Sequence, residues 1–338
     1  MRTLIIAIAA TSLGVCCLHA DDSTEVTKLA LDLHSHGWIA FSAVGDDSDW
    51  NLYVMRPDGT DRRKLTNTHE FNETGARFSP DGKRLLYYRQ PASEPVDNNA
   101  YGTHELLIAD ATGANAVNFG RGLPWASWGP DSKTISTLTA RGIQFVDVAS
   151  RKIVRTLPRK GIVEQLVWSP DGHALVGTAN GLGQYWNIGV LDAASGTIVA
   201  ASETERYNCT PDWMPDSRHV IYSRGTIPEK NERAQLWIAA PLGDDRHMLY
   251  AEGGRHIYGG APSPDGRFLL FSRTVEDLGK VDHAKTTLAI IRFADTPMLG
   301  DDNGELRAQF PSAKGTLRLD VGPGWEPHWT GVEIPTSR

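Results

Sequence analysis

Short apolar runs alternate along the chain with clusters of Gly, Pro, Asp and Ser. Runs such as residues 85–88, 143–146 and 268–271 have the length of single strands, and turn-forming residues flank them. Short runs bounded in this way indicate β-strands. The pattern therefore predicts an all-β chain.

One phrase recurs between these runs: an aromatic residue, any residue, Pro, Asp, then Gly or Ser, followed by a strand. Its prolines lie 40 to 50 residues apart, at Pro80, Pro130, Pro170, Pro215 and Pro264. In the fifth copy a proline takes the aromatic position. A period of this length with several strands per unit is typical of a β-propeller.

The phrase has a local physical reason. Pro suits the second position of a type I turn, Asp the third, and Gly or Ser the fourth. The aromatic residue supplies a large rigid body for packing between blades. We therefore interpret the aspartates as turn formers and not as catalytic or metal-binding groups.

The first unit lacks this phrase, and the end of the chain supplies a candidate for it. Residues 326–330 read Glu-Pro-His-Trp-Thr, which puts Trp329 at the aromatic position. We predict a six-bladed β-propeller whose ring is closed by the C-terminal strand, as the innermost strand of the first blade. Closure of this kind removes exposed sheet edges.

The first twenty residues have the pattern of a secretory signal peptide. Arg2 precedes an apolar run, and Ala20 stands before an acidic stretch. We predict cleavage after Ala20 and a periplasmic or secreted protein, with no membrane span after cleavage. A retained membrane anchor and lipidation of Cys16 or Cys17 are the alternatives.

Cleavage would leave Cys209 as the only thiol, which excludes an internal disulfide and favours a structural role for it. The length of 338 residues would allow two domains, but the repeats favour one. The predicted organisation is a signal peptide (1–20), an N-terminal lead-in (21–35), the propeller (36–331) and a C-terminal tail (332–338).

The repeats resemble those of the TolB-like family of propellers. The resemblance rests on residues 39–42, 51–60 and 63–66, followed by Phe-Ser-Pro-Asp-Gly at 78–82. It implies a periplasmic, protein-binding propeller similar to that of the Tol–Pal envelope system, whose TolB binds a peptidoglycan-associated lipoprotein. With residues 21–35 as the lead-in, we expect the α/β domain that the family carries before its propeller to be absent.

Charge and motifs narrow the chemistry further. The net charge is −7 and no basic block occurs, which argues against nucleic-acid binding. No phosphate-binding loop, dinucleotide fingerprint, His-Glu-x-x-His motif or Gly-x-Ser-x-Gly elbow is present. We predict no catalytic residue, metal ligand or cofactor. The acidic loop at 46–49 suggests calcium, but a solvated hairpin loop is favoured.

A binding site is expected on the propeller face opposite the Pro-Asp turns. The loops between second and third strands, and those between blades, lie on that face, and function tends to sit on such loops. The long loops there are residues 44–50, 90–103, 225–234 and 274–285. Candidate residues for the axial mouth are His69, Glu70, Trp125, His256, Tyr258, Trp325 and Glu326.

Two functions stay open at this point. The first is a monomeric, non-enzymatic scaffold that binds another envelope or periplasmic protein. The second is an enzyme, a saccharide lyase or hydrolase, with a His/acid site at the axis. The enzyme requires three or more of the candidate acids and histidines to converge there, because acid–base groups must reach one substrate.

Overall fold

The fold is known from a computed structural model, which describes residues 18–46, 48–96, 103–202, 205–225, 233–276, 282–293 and 316–335. Within these residues, 24 strands form six four-stranded antiparallel sheets. Most of the predicted signal peptide, including Cys16 and Cys17, lies outside the described residues. So do Asp47 of the acidic loop, parts of the other three long loops and the end of the tail.

Each sheet is one blade, numbered here in chain order. Blade 1 contains β1 (Trp38–Val44), β2 (Trp50–Met55), β3 (Arg63–Lys64) and β24 (Trp325–Thr330). Blade 2 contains β4 (Phe71–Phe78), β5 (Arg84–Pro91), β6 (Glu105–Asp110) and β7 (Val117–Arg121). Blade 3 contains β8 (Ser127–Trp128), β9 (Thr134–Thr139), β10 (Gly142–Asp147) and β11 (Ile153–Leu157).

Blade 4 contains β12 (Ile162–Trp168), β13 (Ala174–Ala179), β14 (Asn187–Asp192) and β15 (Ile198–Ala200). Blade 5 contains β16 (Asn208–Trp213), β17 (Val220–Arg224), β18 (Gln235–Ala239) and β19 (His247–Tyr250). Blade 6 contains β20 (Ile257–Pro262), β21 (Phe268–Thr274), β22 (Thr286–Arg292) and β23 (Arg318–Pro323). A 3₁₀ turn, His283–Lys285, precedes β22.

The predicted ring closure is confirmed. Strand β24 pairs with β1, with Ile39 opposite Trp329, so the end of the described chain completes blade 1. The indole N–H of Trp329 also donates to the carbonyl of His36 at 2.6 Å. The C-terminal tail also packs at this closure. The Glu333 carboxylate accepts from Arg56 Nη1 at 2.7 Å, and Ile334 is buried.

The core is divided into six apolar clusters, one at each junction between neighbouring blades. Successive residues of a strand point to opposite faces of the sheet and therefore toward different neighbouring blades, as the two-residue period of a strand requires. In β5, Leu85 and Tyr87 pack toward blade 1, whereas Leu86 and Tyr88 pack toward blade 3. This explains why the strands read as apolar runs and not as alternating ones, since both faces of each sheet are buried.

The Pro-Asp turns have the structural role that the sequence predicted. In the first copy, the Asp81 carboxylate accepts from the Ser79 hydroxyl at 2.6 Å and from the backbone N–H of Lys83 at 3.1 Å. Burial tends to raise the pKa of Asp81, but these hydrogen bonds outweigh it and the pKa is lowered. The Asp81 N–H also donates to the Ser132 hydroxyl of blade 3 at 3.0 Å, which ties neighbouring turns together.

The segment predicted as a lead-in is mostly helical. The helix α1 (Leu18–Leu33) packs Leu29 and Leu33, both fully buried, against the junction of blades 6 and 1. The Asp32 carboxylate accepts from Arg292 Nη2 at 2.8 Å and from Arg267 Nη2 at 3.1 Å. The helix therefore covers the seam at which the ring closes. No helix among the described residues is long and apolar enough to cross a membrane.

Candidate functional site

Each innermost strand carries one residue in the left-handed backbone region, three positions before the repeat aromatic or its equivalent Pro262. The register of the strand pair shifts at this point in five blades, which marks a β-bulge. In blade 3 the residue lies just before the short β8. The six residues are Gly75 (φ 69°), Trp125 (53°), Gln165 (56°), Thr210 (48°), Gly259 (65°) and Glu326 (49°).

These six bulge residues form a ring around the propeller axis. All six line one axial cavity with a volume of about 110 Å³. Only two of them are glycines, and a β-branched residue such as Thr210 rarely adopts a positive φ. Strained positions of this kind persist where the surroundings hold them, and they cluster at functional sites.

Inter-blade hydrogen bonds hold most of the bulges in place. The Ser42 hydroxyl accepts from the N–H of Gly75 at 3.3 Å, and the Ser223 hydroxyl accepts from the N–H of Gly259 at 3.1 Å. The Tyr88 hydroxyl accepts from the N–H of Ala126 at 2.6 Å. Each hydroxyl comes from the second strand of one blade and fixes the innermost strand of the next.

The junction of blades 4 and 5 uses a relay for the same purpose. The amide oxygen of Gln165 accepts from the Thr178 hydroxyl and from the N–H of Thr210, each at 2.6 Å. Each such hydrogen bond contributes about 1 kcal/mol net to the stability of the fold, so these bonds stabilise the bulge conformations.

Two charged residues, Arg77 and Asp212, line the axial channel next to the bulge residues. Arg77 donates through Nη1 to the carbonyls of Ala76 at 2.8 Å and Glu326 at 3.3 Å. Burial raises the pKa of Asp212 to about 6, although a backbone hydrogen bond from Trp213 and the charge of Arg77 lower it. At neutral pH this part of the axial channel therefore holds a guanidinium and a largely ionised carboxylate.

The histidine at this level is neutral. Burial, assisted by the charge of Arg77, lowers the pKa of His328 to about 3. The N–H of Phe78 donates to His328 Nδ1 at 3.2 Å, which leaves the ring proton on Nε2. His328 lines a second axial cavity of about 410 Å³, which lies on the turn face among the repeat aromatics and prolines. Arg77 and Asp212 border both cavities.

Aromatic rings enclose the upper cavity on the side of blades 6 and 1. The ring of Trp325 stacks on His283 with centroids 4.2 Å apart and meets the edge of Trp50 at 5.4 Å. The Tyr258 hydroxyl lies 3.3 Å from His283 Nδ1. Trp325 and Tyr258 are nearly fully buried, so these rings are fixed before any ligand arrives.

The structure brings four of the seven predicted site residues to the axial cavity: Trp125, Tyr258, Trp325 and Glu326. The other three do not line it. His69 is exposed, with Nδ1 3.4 Å from an Asp49 carboxylate oxygen, and Glu70 is exposed as well. His256 is buried and accepts the N–H of Ala234 through Nδ1 at 3.2 Å.

The sequence interpretation did not single out Arg77, Asp212 and His328. A signal was present, because each of them directly precedes a repeat aromatic, namely Phe78, Trp213 and Trp329. In the described part of the chain, no group of three or more His, Cys, Asp and Glu residues is placed to hold a metal ion.

Comparison with known proteins supports the fold and goes no further. No protein family model matches the chain, and a search of curated proteins found no match. Among solved structures, TolB from Acinetobacter baumannii is similar with a TM-score of 0.62 at 14% identity, over 87% of this chain and 67% of that one.

A chain of a nidogen–laminin complex is similar with a TM-score of 0.56 at 11% identity, over 80% and 94% of the two chains. An oligogalacturonate lyase from Vibrio parahaemolyticus reaches 0.46 at 14% identity, over 76% and 68%, which is too low to argue for an activity. The predicted TolB-like six-bladed propeller fold is thus confirmed.

Proposed function

We propose that the chain is an exported, non-enzymatic propeller that binds another envelope or periplasmic protein as a monomer. One observation carries this proposal: the hydrogen-bonded bulges and the packed aromatic rings of Trp125, Tyr258 and Trp325 line the upper axial cavity. Aromatic residues in desolvated pockets supply most of the energy of protein interfaces. The TolB-like fold supports the same kind of function.

The size of the cavity favours an inserted side chain over a free metabolite. Pockets for drug-sized ligands measure roughly 300–1,000 Å³, whereas this cavity measures about 110 Å³. A protein surface that covers the loop face can place one side chain in such a space. The remaining binding energy would then come from the surrounding loops.

The axial histidine argues against the enzyme alternative. General acid–base catalysis works best when the pKa of the group lies near the working pH. The pKa of His328 is lowered to about 3, and its Nδ1 is already engaged by a backbone N–H. A lyase or hydrolase of the predicted His/acid type would need a histidine that exchanges protons near neutral pH.

Binding can be tested by capture from an envelope extract, followed by titration of the purified partner. We expect Trp125→Ala to weaken binding by roughly 2–4 kcal/mol, as a central anchor does. Leu242→Ala is the control, because Leu242 is exposed in the connection between β18 and β19, away from the loop face, and does not line the cavity. It should change the dissociation constant less than about threefold. Equal losses in both folded variants, or turnover of an oligosaccharide by the purified protein, would refute the proposal.

Export can be tested separately by fractionation and by the mass of the purified protein. Cleavage after Ala20 would remove only the start of α1 and keep Leu29 and Leu33 in their contacts. We expect an envelope-located protein that lacks residues 1–20. A cytoplasmic protein that retains them would contradict this part of the proposal.

A further inference from the structure

The larger of the two axial cavities is bordered by one cation and one anion. This cavity of about 410 Å³ lies on the turn face, and we call it the turn-face cavity. Among the described residues that line it, only Arg77 and Asp212 are charged, because His328 is neutral. Most of the other lining residues are aromatic, proline or small residues. The cavity therefore combines a single pair of opposite charges with a largely apolar wall.

The two charges come from opposite sides of the ring. Arg77 directly precedes the repeat aromatic of blade 2, and Asp212 directly precedes that of blade 5. Blades 2 and 5 are three positions apart in a ring of six, so these equivalent positions lie across the axis from each other. In the described part of the chain, Arg77 and Asp212 form no ion pair with each other. Each charge can therefore bind a group of opposite sign on one ligand between them.

Both side chains also have hydrogen-bonding capacity that the described chain does not use. Arg77 donates there only through Nη1, to the carbonyls of Ala76 and Glu326, which leaves its Nε and Nη2 groups. Asp212 accepts there only through Oδ1, from the N–H of Trp213, which leaves Oδ2. Both side chains are half-buried. A guanidinium binds a carboxylate through parallel N–H donors, and a carboxylate accepts from an ammonium, so the unused atoms suit these two ligand groups.

From this arrangement we infer that the turn-face cavity binds a zwitterion with an apolar side chain, its carboxylate on Arg77 and its ammonium on Asp212. Four indole rings provide apolar surface for that side chain: Trp128, Trp168, Trp213 and Trp329. The cavity volume lies within the range of roughly 300–1,000 Å³ that is usual for small-molecule sites. A free amino acid and a short peptide share this chemistry. The inference does not rest on the proposed function, because the proposed partner covers the loop face.

The binding test compares ligands that differ by one charged group. Calorimetric titration of the full chain at pH 7.5 uses L-phenylalanine, 3-phenylpropanoate, which lacks the ammonium, and 2-phenylethylammonium, which lacks the carboxylate. We expect saturable binding of L-phenylalanine. Each analogue should bind about tenfold or more weakly, because it loses one charge-assisted hydrogen bond. Absence of L-phenylalanine binding, or equally tight binding of either analogue, would overturn the inference.

Two substitutions assign the ligand groups to the two residues. Asp212→Asn should weaken L-phenylalanine about tenfold or more and leave 3-phenylpropanoate binding no weaker. Arg77→Gln should weaken both of these ligands and spare 2-phenylethylammonium, and Arg77→Lys, which keeps the charge, should restore part of the affinity. Arg218→Gln is the matched control, because Arg218 is exposed at the turn of blade 5 and does not line the cavity. Wild-type affinity in folded Asp212→Asn and Arg77→Gln proteins would overturn the inference.

The source of the zwitterion is read in a second arm with the dipeptide L-phenylalanyl-L-alanine. Tighter binding of the dipeptide than of L-phenylalanine would identify short peptides as the ligand, and the reverse order would identify free amino acids. Either result supports the site. Absent binding of L-phenylalanine, together with partner capture that depends on Trp125, would remove this inference and leave the proposed function intact. Zwitterion binding without any captured partner would do the opposite.

Discussion

Glu73 is a buried acid whose ionisation should cost the fold stability at alkaline pH. Its side chain is 1% exposed, and one carboxylate oxygen has no hydrogen-bond partner among the described residues. The other accepts from the Thr68 hydroxyl. Burial raises the pKa of Glu73 from 4.5 to about 7, against the hydrogen bonds from Thr68 and Thr66 and the charge of Arg89.

The sign follows from proton linkage. The folded state holds the proton of Glu73 more tightly than the unfolded state, so the favourable contribution is fully present below the unfolded pKa of 4.5 and is lost as the pH rises through about 7. A rise of this size corresponds to roughly 3 kcal/mol between the two limits. Glu73→Gln carries no charge and should escape this loss.

The measurement is the free energy of unfolding in urea at about pH 5 and pH 8.5 for both proteins. Packing effects of the substitution are the same at both pH values and cancel in the comparison. We expect the stability of Glu73→Gln relative to wild type to increase by about 2–3 kcal/mol between the lower and the higher pH. An unchanged difference would refute the assignment of a buried, proton-binding Glu73.

Glu105 provides a control of opposite sign. Arg89 and Arg121 hold its carboxylate at 2.7 and 3.0 Å, and mainly the hydrogen bond from Arg89 lowers the pKa of Glu105. Its stabilisation is present above 4.5 and is lost as the pH falls through the lower folded pKa. Glu105→Gln should therefore be less stable than wild type at both pH 5 and pH 8.5, and the difference should shrink only below about pH 4.5.

Two further comparisons test the packing of the fold by thermal unfolding. Leu33→Ala should cost about 2–5 kcal/mol, because the Leu33 side chain of α1 is fully buried against blades 6 and 1. Leu31→Ala should stay within about 0.5 kcal/mol, because Leu31 is 73% exposed; similar losses would contradict the docking of α1. Gly82 and Gly266 occupy the same turn position with positive φ, but only at Gly82 would an added methyl group overlap Val332. Gly82→Ala should thus lower the midpoint more than Gly266→Ala, and equal effects would contradict the contact with the tail.

The repeat, the blade count and the ring closure were predictable because their signals are local. A Pro-Asp turn is specified by consecutive residues. Trp329 likewise identifies the sixth copy of the repeat from the local sequence, without information about its partner strand. The docking of α1 also had a signal, the spacing of Leu29 and Leu33, which places both on one helix face. The sequence interpretation of residues 21–35 as a lead-in did not use the spacing of these two leucines.

The bulge ring could not be predicted from the sequence. Gly75 and Gly259 are compatible with a positive φ, but Trp125, Gln165 and Glu326 are residue types that usually avoid it. Their conformation is imposed by hydrogen bonds between blades, which sequence periodicity does not record. His69 and Glu70 lie outside the axial cavity for a related reason, since a loop between blades can face outward or toward the axis.

The pairing of β24 with β1 has a consequence for how the chain folds. Trp329 meets Ile39 across 290 residues, so during synthesis blade 1 must wait for almost the whole chain to leave the ribosome. Until then β1 presents an unpaired edge, and such edges template aggregation. Contacts of this range also slow folding, because a long loop must close before they form. The five other blades need no such delay. In a nascent chain they would therefore form first, and the completion of blade 1 would close the ring as the last step.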